Sequence, residues 1–331
     1  MEIAEDSWLP EGFHFFGPEE TALRKRLLYP ITSLFEQNGF REVTLPSFDY
    51  ASVFSSRLPS KEKKMILGVR DTFGGVLAPP ADLTIQVAKS LAGDSTSDIA
   101  EKKVYYLGKR IKDHKRWNAS RREVFQLGAE YIGDSSPSKV SFLIGLIHTA
   151  LQNHITEGTI RLVFNHAGVL KFLCEKDPDL GRFFEKEKGL FLSKNLSELK
   201  KLAQNDSWSI LVQTCRNFSE FKQLVQNRYG KESWWVSIRE TLDPIELLFN
   251  EIKEKYPKFS VLWDFNLLSE LNYYTGTVFH AFACGFPEPI FSGGVYDSLI
   301  GSFGKSPIPA CGFAIHIDQL EDYLARRAKG S

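Results

Sequence analysis

The stretch RREVFQLGAEYIG, Arg121 to Gly133, carries the pattern that decides the architecture. Strand alternation sets Phe125, Leu127, Ala129 and Tyr131 on one face and Gln126, Gly128 and Glu130 on the other. An apolar back therefore supports a polar front. Just upstream, Lys103 to Lys109 reads as a partner strand, and the polar segment Ile111 to Ser120 suits the long loop of a hairpin.

Working towards the N-terminus, Asp82 stands ahead of Leu83, Val87 and Leu91, a helical stripe closed by Gly93. Asp82 is placed to cap that helix at its positive end. Further back, Leu23, Leu27, Ile31, Leu34 and Phe35 define a helix from Thr21 to Asn38, with a left-handed cap expected at Gly39 and a kink or division expected at Pro30. Phe40, Val43 and Leu45 then predict a short strand that Pro46 ends at a sheet edge.

Towards the C-terminus, Pro137 to Gln152 predicts a helix and Thr159 to Phe164 a strand. From Asn165 to Lys258 the texture becomes charged helical segments bearing Leu and Phe. Residues 165–258 therefore read as a helical insertion that splits a core made of 1–164 and 259–331. Strand texture returns at Phe259 to Leu267, Asn272 to Phe282 and Pro289 to Phe291; Gly293-Gly294 is expected to turn the chain, and a helix from Ile317 to Arg327 closes it. Strands in adjacent runs, with helices between and after them, predict an α+β fold: an antiparallel sheet flanked by helices.

Composition narrows the function. Across 331 residues, 41 lysines and arginines balance 41 aspartates and glutamates, so no global cationic field favours a polyanion and a nucleic-acid partner is disfavoured. The four cysteines, Cys174, Cys215, Cys284 and Cys311, form no C-x-x-C pair, so no metal site is expected. An acidic N-terminus without a basic-then-apolar order, and no run near about eighteen apolar residues, predict a cytoplasmic protein with no membrane partner.

Four segments carry a family resemblance. LFEQNGFREVTLPSFDY, Leu34 to Tyr50, resembles motif 1 of class II aminoacyl-tRNA synthetases, which forms the homodimer interface in that family. RREVFQLGAEYIG resembles the second strand of motif 2 in histidyl-tRNA synthetases, with Arg122, Gln126, Gly128 and Glu130 in matching positions. LNYYTGTVFHAF, Leu271 to Phe282, is similar to their histidine-recognition stretch, and SGGVYDSLIGSFG, Ser292 to Gly304, to the Gly-Gly-x-Tyr-Asp segment after it. The likeness runs from about Leu9 to Leu324 and implies a class II synthetase-like fold.

The departures from that pattern bear on function. Adenylation accumulates negative charge that arginines and magnesium neutralise in the transition state. Here the family's arginines fall at Pro80, Lys112, Ser269, Val295 and Gln319, and a motif 3 glycine falls at His316. Losing one such stabiliser costs about 3 to 4 kcal/mol. Adenylation is expected to be lost, and no catalytic residue is assigned.

The amino-acid side of the implied pocket is retained. The resemblance implies that Glu130 accepts an imidazole nitrogen, that Tyr273, Tyr274 or Tyr296 supplies hydroxyls or ring edges, and that Asp82, Thr84 and Gln126 hold an α-ammonium. Gly128 would leave room for the ligand. The chain also ends soon after motif 3, so no anticodon-binding domain is expected. This combination resembles the regulatory subunits that accompany short-form ATP phosphoribosyltransferases. It implies dimers through the Leu34 to Tyr50 region, a short-form catalytic subunit as partner in a hetero-octamer, and free histidine as effector. It also implies activation of the first step of histidine biosynthesis and feedback inhibition. No cofactor belongs to this chain; the complex would use ATP, phosphoribosyl pyrophosphate and Mg on the catalytic subunit.

Plainer readings compete at several positions. Arg122 and Glu130 can form a structural ion pair. One of Tyr273 and Tyr274 can be an ordinary strand aromatic, because neighbours in a strand face opposite ways. His316 suits a helix end or the core, and Trp234-Trp235 suits either packing or a partner contact. Two other functions also remain: a divergent synthetase-like enzyme adenylating a free amino acid, and a tRNA-binding pseudosynthetase.

Overall fold

The computed structural model describes residues 9–93, 101–113, 121–155, 158–265, 267, 273–304 and 306–329. The chain begins with α1 (Pro18–Gln37), β1 (Arg41–Glu42), β2 (Asp49–Tyr50), α2 (Ala51–Ser55), α3 (Ser60–Lys63), β3 (Val69–Arg70), β4 (Val76–Ala78) and α4 (Leu83–Gly93). There follow β5 (Lys102–Ile111), β6 (Glu123–Ile132), α5 (Pro137–Leu151) and β7 (Ile160–His166). The next stretch holds α6 (Ala167–Lys176), α7 (Pro178–Lys186), α8 (Lys188–Leu192), α9 (Leu196–Leu202), β8 (Thr214–Cys215), α10 (Phe218–Tyr229) and α11 (Trp235–Lys255). The chain closes with β9 (Phe259–Asp264), β10 (Thr277–Ala283), β11 (Pro289–Val295), β12 (Ala310–His316) and α12 (Ile317–Lys329).

A nine-stranded sheet with the order β1-β5-β6-β12-β11-β10-β7-β9-β8 forms the centre, and β2, β4 and β3 make a small second sheet. The large sheet is antiparallel except where β1 meets β5 and β7 meets β9. The fold is α+β of the class II synthetase type. Leu127, Ala129 and Tyr131 of β6 join Ile31 and Phe35 of α1 and Leu143, Ile144 and Ile147 of α5 in one core. Phe35 packs edge-on against Tyr105 at 5.9 Å and Phe313 at 5.7 Å, riveting α1 to three neighbouring strands' common face. Burying such a side chain contributes about 1.5 to 3 kcal/mol. With the back of β6 so covered, its front is left for polar groups.

The core continues into residues 165–258 through Phe218, Phe221 and Phe249, the first two packing on Trp263 of β9, and β8 from this stretch pairs with β9. Trp234 packs 5.0 Å from Tyr229 and 5.7 Å from Phe172, which accounts for it as a packing residue.

Three local expectations need correction. Helix α1 runs unbroken through Pro30, whose side is exposed, while Leu27, Ile31 and Phe35 bury the opposite stripe and hold both halves together. The predicted left-handed cap at Gly39 is present, at φ +82°. The strand ahead of Pro46 shrinks to Arg41–Glu42, extended by a bond from Val43 N to Tyr105 O of 2.9 Å, because β5 is its sole partner in the sheet. Gly293 and Gly294 do not turn the chain: they lie inside β11, paired with β10 and β12. A Cβ on Gly293 would stand 2.3 Å from Gly312 O, and one on Gly294 2.6 Å from Thr277 O. Close approach to neighbouring strands, not a turn, requires glycine there.

Candidate functional site

Glu130 sits on the front of β6, flanked in register by Val104 of β5 and Gly312 of β12. It is 1% exposed. A Cβ on Gly312 would stand 1.5 Å from Glu130 Oε2, so the neighbouring strand must carry glycine for the carboxyl to fit. Oε1 accepts from Thr84 Oγ1 at 2.9 Å and Tyr106 OH at 3.2 Å, and Oε2 accepts from Tyr296 OH at 2.5 Å. Burial pushes the Glu130 carboxyl up to about 8, against the pull of those three hydroxyls. It is therefore largely protonated at neutral pH, and a ligand donor would favour its charged form.

Helix α4 supplies the next groups. Leu83 and Val87 bury its apolar stripe, which points its N-terminus at Glu130. Asp82 caps this end as predicted: Oδ1 accepts from Ile85 N at 2.9 Å, and Oδ2 accepts from Tyr273 OH at 3.2 Å. Thr84 follows in the first turn and bonds Glu130.

Tyr273 and Tyr274 both line the cleft, their rings 5.0 Å apart, and Tyr273 meets Tyr296 edge-on at 6.1 Å. The expectation that one of the pair faces away fails because β10 starts only at Thr277, so strand alternation does not govern positions 273 and 274. Burial, together with nearby Asp82 or Glu130, pushes the hydroxyls of Tyr106, Tyr273, Tyr274 and Tyr296 upward. They are proton donors throughout the physiological range.

At the other end of the cleft, Gln126 Nε2 lies 3.2 Å from His316 Nδ1, and His316 Nε2 lies 3.1 Å from Ser292 Oγ. Burial first, then the charge of Arg110, pushes the His316 imidazole well down, so it is neutral. Gln126 then donates to Nδ1, and the remaining N–H donates to Ser292. His316, anticipated as a core or helix-end histidine, is the last residue of β12 and also part of the cleft wall.

All seven residues read from the sequence, Asp82, Thr84, Gln126, Glu130, Tyr273, Tyr274 and Tyr296, line this one cleft, which opens to solvent. Two readings of its neighbours are corrected. Gly128 does not make room for a ligand: a Cβ there would stand 2.2 Å from Tyr106 Cζ, so the glycine makes room for that ring. Arg122 does not pair with Glu130. It bonds Asp113 Oδ1 at 2.7 Å and lies 5.4 Å over the Phe13 ring.

Sequence reasoning missed Tyr106, Arg110 and the partner of Lys112. Lys112 is buried in an ion pair with Glu62 of α3. Burial and Arg110 push its ammonium below the usual lysine range, and Glu62 pulls the other way. Its charge is spent inside the fold. Tyr106 could have been found from the hairpin register, which sets it directly opposite Gly128. Glu62 sits fifty residues away with no periodic signal. The substituted position Ser269 lies outside the described residues.

Comparison with known proteins bears on these observations. The sequence model of the family described as histidyl-tRNA synthetase matches residues 12–320. An ATP phosphoribosyltransferase regulatory subunit of Leptospira interrogans is 28% identical over 327 residues, covering 97% of this chain and 95% of the relative. One from Lactococcus lactis is 26% identical, covering 91% and 92%. Among solved structures, an ATP phosphoribosyltransferase regulatory subunit/histidyl-tRNA synthetase from Bacillus halodurans superimposes with a TM-score of 0.77 at 22% identity, covering 96% of this chain and 83% of that one. A histidine–tRNA ligase subunit from Alicyclobacillus acidocaldarius gives 0.80 at 20% identity, covering 97% and 98%. Those two structures share the fold described above.

Proposed function

This chain belongs to the histidyl-tRNA synthetase family, and we propose that within it the chain binds free histidine without activating it and regulates a short-form ATP phosphoribosyltransferase catalytic subunit. The observation that carries this reading is the fate of Lys112. The cation at the position of a phosphate-binding arginine is sealed against Glu62, while Glu130 and its hydroxyls face an open cleft. A lysine so paired cannot neutralise a pentacoordinate phosphate.

In this reading the imidazole of histidine donates to Glu130, which ionises on binding. The ammonium lies against Asp82 and Thr84 at the α4 N-terminus, and Tyr273, Tyr274 and Tyr296 enclose the ring. The curated relatives' names support the partner. Regulation then requires that histidine bind one state of the assembly more tightly than another. Activation in the first step of histidine biosynthesis and feedback inhibition would both pass through that difference. ATP, phosphoribosyl pyrophosphate and Mg would be held by the catalytic subunit. Exposed Phe48 and Tyr50 support self-association through the 34–50 region, and α1 exposes Leu23 and Tyr29 as well. No described helix is long and apolar enough to cross a membrane.

The test is reconstitution. Adding this chain to a short-form catalytic subunit should raise transferase activity, histidine should lower it, and calorimetry should detect histidine binding to this chain alone. Pyrophosphate exchange into ATP in the presence of histidine would instead establish the divergent-synthetase reading.

A further inference from the structure

We infer that Arg110 is the carboxylate anchor of the cleft, gripping the α-carboxylate of a bound amino acid and so selecting it over its decarboxylated amine. This rests on the reading of the cleft as a histidine site. The hairpin register pairs Val104 with Glu130, Tyr106 with Gly128, Gly108 with Gln126 and Arg110 with Val124. Alternation therefore puts Arg110 on the same polar front as Gln126 and Glu130, and it lines the same cleft. Six residues of β6 separate Val124 from Glu130, about 20 Å of backbone at the usual strand rise. Glu130 and Arg110 thus stand at opposite ends and do not neutralise each other.

Each end is incomplete in a complementary way. Glu130 is bonded only by hydroxyls, with no cation at hand. Arg110 makes no side-chain hydrogen bond or ion pair among the described residues, and its buried Nε has no hydrogen-bond partner. Of the other polar groups in the lining, Gln126, Ser292 and neutral His316 bring no anion, and the Asp82 carboxylate is taken up by Ile85 N and Tyr273 OH. The neighbouring cations of this hairpin are occupied, Lys112 by Glu62 and Lys109 by Glu123. A slot with an unanswered carboxyl at one end and an unanswered guanidinium at the other fits a small zwitterion whose side chain carries a donor. The guanidinium fork matches a carboxylate in two parallel bonds, and with Glu130 held in place by its three hydroxyls the long Arg110 side chain is the one able to shorten the gap.

The experiment is calorimetric titration of the full chain and its Arg110→Met and Arg110→Lys variants with L-histidine and with histamine, which lacks the carboxylate. The unaltered chain should prefer histidine by about 10- to 100-fold, the loss expected for one charge-assisted contact. In Arg110→Met, histidine should fall to the histamine level while histamine binding stays within about twofold, which also shows that the variant is folded. Arg110→Lys should recover part of the preference. Undiminished preference in Arg110→Met, or equal binding of both compounds by the unaltered chain, overturns the assignment of Arg110 alone. Binding of neither compound by the unaltered chain overturns the histidine reading with it.

Discussion

The two ends of the β5–β6 hairpin have met opposite fates. At the Glu130 end, three hydroxyls from three separate elements converge on one buried carboxyl, and every strand neighbour is shaped around it. At the other end, outside the cleft lining, the lysine at a family arginine position is held in a structural ion pair and Arg122 is bonded to Asp113, while in the cleft wall a histidine fills a glycine position. The comparison teaches that charges on one part of a hairpin can be taken up one at a time within the fold while a buried carboxyl on another part keeps its face to a cleft.

The strongest way to break this comparison is to free Lys112. Glu62→Ala leaves a buried ammonium without its partner and should cost about 3 to 5 kcal/mol in urea denaturation. Pyrophosphate exchange by the variant should remain at background, since one recovered point charge does not rebuild a cradle. Exchange well above background would show that the Glu62 pair alone silences catalysis.

Next in size is Glu130→Gln, which should weaken histidine by roughly 30- to 100-fold in calorimetry, as expected for losing a charged acceptor. The same variant sharpens the electrostatic claim through pH. The folded carboxyl titrates near 8 and the unfolded one near 4.5. Between those values the unfolded chain has shed its proton and the folded chain retains it, so this group's contribution to stability falls as pH rises from about 4.5 to about 8 and is level above. Denaturation midpoints of unliganded Glu130→Gln should lack that decline, leaving the variant more stable than the parent near pH 8. An unchanged pH slope would mean that Glu130 is ionised in the empty site.

A smaller effect is expected from Tyr296→Phe, which removes the shortest hydrogen bond to Glu130. Histidine affinity should drop by about tenfold or less, for a net cost near 1 kcal/mol, read by the same titration. The smallest is Arg122→Ala: its partially exposed pair with Asp113 predicts about 0 to 1 kcal/mol in stability and histidine binding within about twofold of the parent. A large loss of binding in that variant would place Arg122 in the cleft after all.

Much of this was legible before any coordinates. The alternation of residues 121–133 anticipated the front and back of β6, and Asp82 was identified as a cap from its place ahead of an apolar stripe. Asp82, Thr84, Gln126, Glu130 and Tyr296 converge because each lies in a regular element or directly beside one whose period can be read. The double glycine at 293 and 294 misled because the same residue serves turns and close strand contacts, and only the neighbour decides between them. The tyrosine pair misled because the strand begins four residues after Tyr273.

By itself, then, the amino-acid order determined which groups each strand and helix would present, because periods of two and 3.6 are local properties of a backbone. Only the tertiary structure decided which of those groups are already partnered. Glu62 reaches Lys112, and Tyr106 takes the space above Gly128, through strand register and helix placement that bring distant residues together. Whether a charge is free to meet a ligand depends on such neighbours, and no periodicity in the chain encodes them.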